Sequence, residues 1–275
     1  MKISFLVENS TKSENLKAEH GLSVYIETEG MNILFDTGST DLYLENAGKM
    51  DIDLSDADYC VISHGHYDHT GGVPSFVDIN EKAKVIMHKE CYLKTYDMLP
   101  DGSLSELPTG IRWSEEDKEK VSSRAIFTDK ELWLNNDIVV SGTIDTEIPY
   151  TMTETFYSVD GEKLVPDPMD HEQFLAIREN GKVYVFSGCS HRGVTPCLHH
   201  VKKLFPEDKI GGLVAGMHLM WATDEVMEKV IDEVVKLDLD MVIPVHCTGI
   251  KAIEELKARL GDRCVKAVTG DVYEY

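Results

Sequence analysis

Short apolar runs separated by turn signals dominate the first ninety positions of the chain. Lys2–Val7, Leu22–Glu27 and Met31–Phe35 have strand composition, and Glu29-Gly30 between the last two marks a hairpin-like turn. A helix is expected around Asp41–Ala47, a buried strand over Tyr59–Ser63, and a further strand over Lys84–His88. From about Glu90 to Gly161 the periodicity weakens. This stretch carries Tyr92, Tyr96, Trp113, Trp133, Tyr150 and several prolines, with a charged helical piece at Ser114–Val121, and its composition predicts loops and a cap over a pocket. Order then returns. Strands Gln173–Arg178 and Lys182–Ser187 flank Asn180-Gly181, and Gly212–Ala215, Met241–Val245 and Val265–Val268 read as later strands. Helices are expected near Thr195–Leu204, Asp224–Lys236 and Gly249–Leu260. In the second of these Thr223 resembles an N-cap, and Val226, Val230 and Val234 recur on one face.

Strand-rich segments with helices interspersed in both halves predict an α/β protein, two sheets packed together with helices outside. The 275 residues approach the upper limit for one hydrophobic core. We read 1–275 as a single domain with 90–161 as a cap-like insertion.

Composition narrows the classes. Hydrophobic residues make up 42% and charged residues 28%, enough apolar surface for a core, which argues against disorder. The formal net charge of −22 repels phosphate backbones and anionic membranes, so neither nucleic acid nor a membrane surface is an expected partner. A small anionic substrate stays compatible with that charge, because bound divalent cations reverse the local potential. So does a homo-oligomer. The N-terminal apolar run is short, has Glu8 directly behind it and lacks a cleavage pattern, so it reads as a strand and not a signal peptide. No apolar run reaches membrane-spanning length. The six cysteines (60, 91, 189, 197, 247 and 264) form no CxxC pair or disulfide spacing, which together with the preceding points predicts a soluble, cytoplasmic protein.

The chemistry concentrates at Cys60-Val-Ile-Ser63-His64-Gly-His66-Tyr-Asp68-His69, where a buried apolar strand ends and four potential ligands follow within six residues. Alternation lets His64 and His66 share one side, and Asp68 and His69 enter from the following turn. Imidazole nitrogen and carboxylate oxygen suit zinc first, with iron or manganese as alternatives. The bland reading is a polar loop of satisfied histidines. Three later segments repeat the order of strand, small residue, then His or Cys: Val185-Phe-Ser-Gly-Cys189-Ser-His191, Leu213-Val-Ala-Gly-Met-His218 and Val242-Ile-Pro-Val-His246-Cys247. Strand ends would gather them at one rim.

His64-Gly-His66-Tyr-Asp68-His69 resembles the HxHxDH signature of the metallo-β-lactamase superfamily, and Phe35-Asp36-Thr-Gly38 resembles its upstream acidic motif. The resemblance implies an αββα four-layer sandwich holding two divalent transition-metal ions. His64 and His66 would hold one, Asp68 and His69 the other, with His191 completing the first site and His246 the second. A narrower similarity, carried by Ser187-Gly-Cys-Ser-His-Arg-Gly193, Met217-His-Leu219 and Val245-His-Cys-Thr-Gly249, is to the branch of the 7,8-dihydropterin-6-methyl-4-(β-D-ribofuranosyl)aminobenzene 5′-phosphate synthase. The sequence departs from the β-lactamase pattern in lacking a GHT-like third histidine, and Cys189 stands where a bridging Asp is usual. Cys189 is either a soft bridging ligand or a packed, nonligating cysteine.

Asp36 is read as an acceptor fixing the tautomer of a ligand histidine, against a bland turn residue. His218 is either a substrate or outer-layer group or a satisfied core histidine. Arg192, with Gly188 and Gly193 at the start of a helix, is either a phosphate contact or a solvated surface charge. His171, His199 and His200 are read as structural. The expected activity is hydrolysis by a metal-bridging hydroxide oriented by Asp68, on a small substrate with phosphorylated molecules among the candidates. Two alternatives stay open: a metal-dependent pterin-pathway synthase or transferase, and a nonenzymatic metal-binding or redox-sensing protein.

Overall fold

The computed structural model describes residues 1–99, 101–148, 154–161 and 163–275. Strands β1 (Lys2–Val7), β2 (Ser23–Thr28) and β3 (Met31–Phe35) open the chain. There follow α1 (Leu42–Lys49), β4 (Tyr59–Val61), α2 (Tyr67–Thr70), α3 (Val73–Ile79) and β5 (Lys84–His88). Next come β6 (Thr95–Tyr96), α4 (Glu115–Ser122), β7 (Ala125–Thr128), β8 (Leu132–Trp133), β9 (Ile138–Val140), β10 (Tyr157–Asp160) and β11 (Lys163–Pro166). The last part holds β12 (Leu175–Glu179), β13 (Lys182–Ser187), α5 (Val194–Leu204), β14 (Lys209–Ala215), α6 (Asp224–Lys236), β15 (Met241–Pro244), α7 (Ile250–Leu260) and β16 (Val272–Glu274). Two compact units result: Met1–Asp129 with Thr155–Asp167 and Val268–Tyr275, and Lys130–Glu154 with Pro168–Ala267.

The first unit contains a seven-stranded sheet in the order β16-β1-β2-β3-β4-β5-β7. The hairpin β2–β3 pairs Thr28 with Met31 across Glu29-Gly30, as its turn chemistry dictates. From β3 onward the pairing is parallel, because each strand is followed by a helical crossover before the next. Parallel strands discharge their following loops at the same sheet edge, so the segments after β3 and β4 leave side by side. One face of this sheet packs Leu34, Cys60, Val85 and Met87 against Tyr43, Ala47, Phe76 and Val121 from the helices. Helix α4 starts at Ser114, whose hydroxyl accepts from the Asp117 N–H, with Glu115, Glu116 and Asp117 in the first turn. A small sheet, β11-β10-β6, belongs to the same unit. The charged helical piece expected at Ser114–Val121 forms as α4, whereas the rest of that stretch, expected to be loops, also contains short strands; strands of two to four residues leave too little alternation to be read from sequence.

The second unit contains a six-stranded sheet, β15-β14-β13-β12-β9-β8, parallel from β13 to β15 and antiparallel elsewhere. Helices α5, α6 and α7 contribute Cys197, Leu198, Ile231, Val234 and Leu256 to its core. The buried residues of α6 are Met227, Ile231 and Val234, so its stripe lies beside the expected Val226–Val230–Val234 line, and Val230 only flanks it.

The expected strand Val265–Val268 does not form. Cys264 makes a single bridge to Val242, and Val265 donates one hydrogen bond to the Val242 carbonyl. The Asp271 carboxylate then accepts from the Val268 N–H and turns the chain, and the pairing goes to β16, which lies antiparallel to β1. Among the described residues no helix is long and apolar enough to cross a membrane.

Candidate metal centre

In the first unit Asp36 follows β3 directly, at φ 57°, and its N–H is fixed on the Val61 carbonyl at 3.0 Å. Positive φ is tolerated by Asp better than by most residues, and here it turns the carboxylate toward the segment leaving β4. Asp36 Oδ1 accepts from the Ser63 N–H at 2.7 Å. Its Oδ2 lies 2.7 Å from Ser63 Oγ and 2.6 Å from His69 Nδ1. Ser63 Oγ is also 2.9 Å from His64 Nδ1. One proton assignment satisfies all of these contacts: Ser63 donates its hydroxyl proton to Asp36, accepts from His64 Nδ1–H, and His69 Nδ1–H donates to Asp36. Both imidazoles are thereby held in the tautomer that offers Nε2 to a metal.

The rings themselves are gathered. His64 lies 4.6 Å from His66 and 4.2 Å from His69 between centroids, and all three residues are buried. Gly65 is required between the first two histidines, because a Cβ there would come within 2.3 Å of the Cys91 carbonyl oxygen. Asp68 is buried in α2, and its Oδ2 lies 3.1 Å from Nε2 of His20, a partner the sequence did not reveal.

The 90–161 stretch meets this ligand loop at several points within the unit. Tyr67 N–H bonds to the Thr109 carbonyl, Trp113 Nε1 donates to the Thr70 carbonyl at 2.9 Å, and Phe156 packs its ring 4.5 Å from His66. Burial, then the negative charge of Asp68, raise the carboxyl pKa of Asp97. Trp133 belongs to the second unit and packs on Phe205. Tyr150 lies outside the described residues.

In the second unit Cys189 and His191 occupy the turn after β13, and both are buried. Fully buried Glu172 holds this turn by accepting from the His191 N–H and the Arg192 N–H, each at 2.7 Å. Burial raises its carboxyl pKa, and the two N–H donors oppose that shift. Glu172 was not legible in the sequence, since its partners are backbone groups about twenty positions away. His246 follows β15 at φ 50°. His218, at φ 47°, packs its ring 4.5 Å from His191 and places Nε2 3.1 Å from a Glu154 carboxylate oxygen. Its N–H bonds to Cys247 Sγ at 3.3 Å.

Arg192 departs from both of its sequence readings. It is buried, and its guanidinium is engaged by the carbonyls of Ile144 and Pro168, the Asp170 carboxylate and the Thr146 hydroxyl. These protein acceptors engage four of the five N–H donors, which leaves one for a substrate phosphate, and they tie three segments of the second unit together. His200 lies against Phe174, and burial lowers its pKa.

The donor set fits a divalent transition metal: clustered buried imidazoles anchored through Nδ1, with a carboxylate on the same loop. A family model described as the metallo-beta-lactamase superfamily matches residues 16–152. The chain belongs to that superfamily. A solved structure described as a metal-dependent hydrolase of the β-lactamase superfamily is 28% identical. It superposes with a TM-score of 0.82 and is matched over 100% of this chain and 99% of its own. An uncharacterized protein of Methanocaldococcus jannaschii is 32% identical, over 92% of this chain and 93% of its own length. The 7,8-dihydropterin-6-methyl-4-(beta-D-ribofuranosyl)-aminobenzene-5′-phosphate synthase of the same organism is 29% identical, over 87% and 86% respectively. The α/β sheets of this member therefore follow the metallo-β-lactamase fold, and divalent metals are the cofactors of its superfamily.

Proposed function

We propose that this superfamily member is a metal-dependent hydrolase of a small phosphorylated molecule. His64, His66 and His191 would hold one divalent ion, and Asp68, His69 and His246 a second, with zinc, iron or manganese suited to these donors. A pair of such ions supplies Lewis acidity and lowers the pKa of water to near neutrality, which removes the need for a side-chain nucleophile.

The observation that carries this reading is the Asp36–Ser63 network on His64 and His69. A buried carboxylate that fixes the Nδ1 side of two neighbouring imidazoles is the arrangement that orients metal ligands, and a merely structural histidine does not need it. The chain's own groups then divide the work. Asp36 and Ser63 orient the ligand rings, Glu172 holds the His191 turn, and Asp68 directs the nucleophile. Glu154 fixes the ring of His218 for contact with substrate. Phe156 and Trp113 keep the ligand loop dry and packed. A soluble, cytoplasmic protein with a small-molecule substrate is the setting that suits this chemistry.

A second reading, a pterin-pathway synthase, is favoured by the 29% identical synthase over most of both chains. Metal-reconstituted protein assayed against bis(4-nitrophenyl) phosphate, a lactone panel and pterin-ribosyl phosphates separates the two. Metal-dependent turnover of a phosphoester supports the hydrolase; formation of a new pterin-containing product without phosphoester turnover replaces it with the synthase.

A further inference from the structure

We infer that Trp221 is a specificity-determining residue, and that its indole stacks on a flat aromatic ring of the substrate. The inference rests on the reading above, that this chain acts on a small phosphorylated molecule, and it adds the chemical class of the part that is not phosphate.

The loop Met217–Ala222 is firmly held. Met217 N–H bonds to Thr248 Oγ1, His218 N–H to Cys247 Sγ, and Met220 N–H to the Cys247 carbonyl. Gly249 makes the close approach feasible, since a Cβ there would lie 2.8 Å from Met220 Cα. Met217 and Leu219 turn inward and are buried, so the loop's packing is already supplied. Trp221 nevertheless stands 62% exposed near its end, with Met220 exposed before it in the chain and Ile250 exposed next to Gly249, which approaches Met220. A large indole left open on a rigid, cross-braced loop is a prepaid binding surface: the ordering cost is met by the fold, and ring burial is left for a partner.

Its place identifies that partner. The indole centroid is 5.5 Å from the ring of His218, which also lies 4.5 Å from the ring of His191, so Trp221 is one ring contact removed from a candidate ligand. Three side chains are far short of the roughly 800 Å² per partner that a specific protein interface buries. They match one planar ring, stacked on the indole with the Met220 thioether at its edge.

The test compares 1-naphthyl phosphate with cyclohexyl phosphate, which carry the same anion on a flat and a puckered ring. Binding to the metal-reconstituted full chain is followed by calorimetry, with metal content measured on the same samples. The wild-type protein is expected to favour the naphthyl compound about tenfold, a typical gain from one stacked ring. Trp221→Ala should abolish that preference while leaving cyclohexyl affinity and metal content unchanged, and Trp221→Phe should retain part of it. Equal weakening of both ligands in Trp221→Ala, or of neither, overturns the stacking role. A wild-type protein that binds both phosphates equally well does the same and leaves the phosphorylated-substrate reading intact. One that binds neither overturns that reading and the inference with it.

Discussion

Asp36 Oδ2 lies 2.6 Å from His69 Nδ1, with both side chains wholly shielded from solvent. Because the same oxygen also receives the Ser63 hydroxyl, one buried carboxylate governs two imidazoles assigned to different metals. In the proposed dinuclear site the ligands of the two ions would therefore be coupled through a residue that need touch neither.

Asp36→Asn tests this coupling. Asn tolerates the same positive φ, so the backbone is retained, but one acceptor oxygen becomes a donor facing either the Ser63 N–H or the shared Ser63 and His69 contacts. Metal affinity should fall by about 10–100-fold, the usual cost of removing an outer hydrogen bond to a ligand. Competition against a chromophoric chelator measures it, and unchanged affinity contradicts the role given to Asp36.

Ser63→Ala removes only the branch that reaches His64. The expected result is a loss of about tenfold at one of the two metals, with the other near its wild-type affinity. Equal losses at both would mean that Ser63 supports the loop as a whole.

Glu172→Gln leaves one of two buried backbone N–H groups, those of His191 and Arg192, facing an amide nitrogen. An unsatisfied buried donor costs about 1–3 kcal/mol, so urea unfolding should show a loss of that size. Weaker metal binding should accompany it through the displaced His191 turn.

The buried thiols set an alkaline limit. Burial pushes Cys91 up to about 12 and Cys264 up to about 11, and raises Cys60 and Cys197 as well, against an ordinary value of 9.0. Above pH 9 the unfolded chain releases these protons while the folded chain keeps them, so the unfolded state binds fewer protons and stability falls as pH rises. Stability measured by urea unfolding should be insensitive to these groups below pH 9 and decline from there toward about pH 12. Over the same lower range the four thiols should resist iodoacetamide in the folded protein, because the thiolate is the reactive form.

How much was legible in the sequence follows from the range of the interactions. The strands β1, β3, β5 and β13 and the helix α6 were readable to the residue, since period, caps and turn chemistry are local. The clustering of His64, His66 and His69, with Asp68 on the same loop, was legible for the same reason, since four potential donors lie in one short run. Ser63, His20, Glu172 and Glu154 were not, because their partners are either backbone groups or side chains brought close only by the fold. Val265–Val268 has strand composition, but a strand also needs a neighbour, and the neighbour of the final strand is β1, more than 200 positions away in the chain.

Metal content per chain tests the account most directly. Elemental analysis of reconstituted protein, titrated to saturation, should give two transition-metal ions for the wild type. It should give about one for Asp68→Asn, whose amide keeps the shape of the side chain but loses the charge that would bind the second ion. Turnover measured on the same samples should fall with the second ion. Wild-type protein that saturates at one ion, or an Asp68→Asn variant that keeps two with undiminished turnover, would contradict the dinuclear assignment.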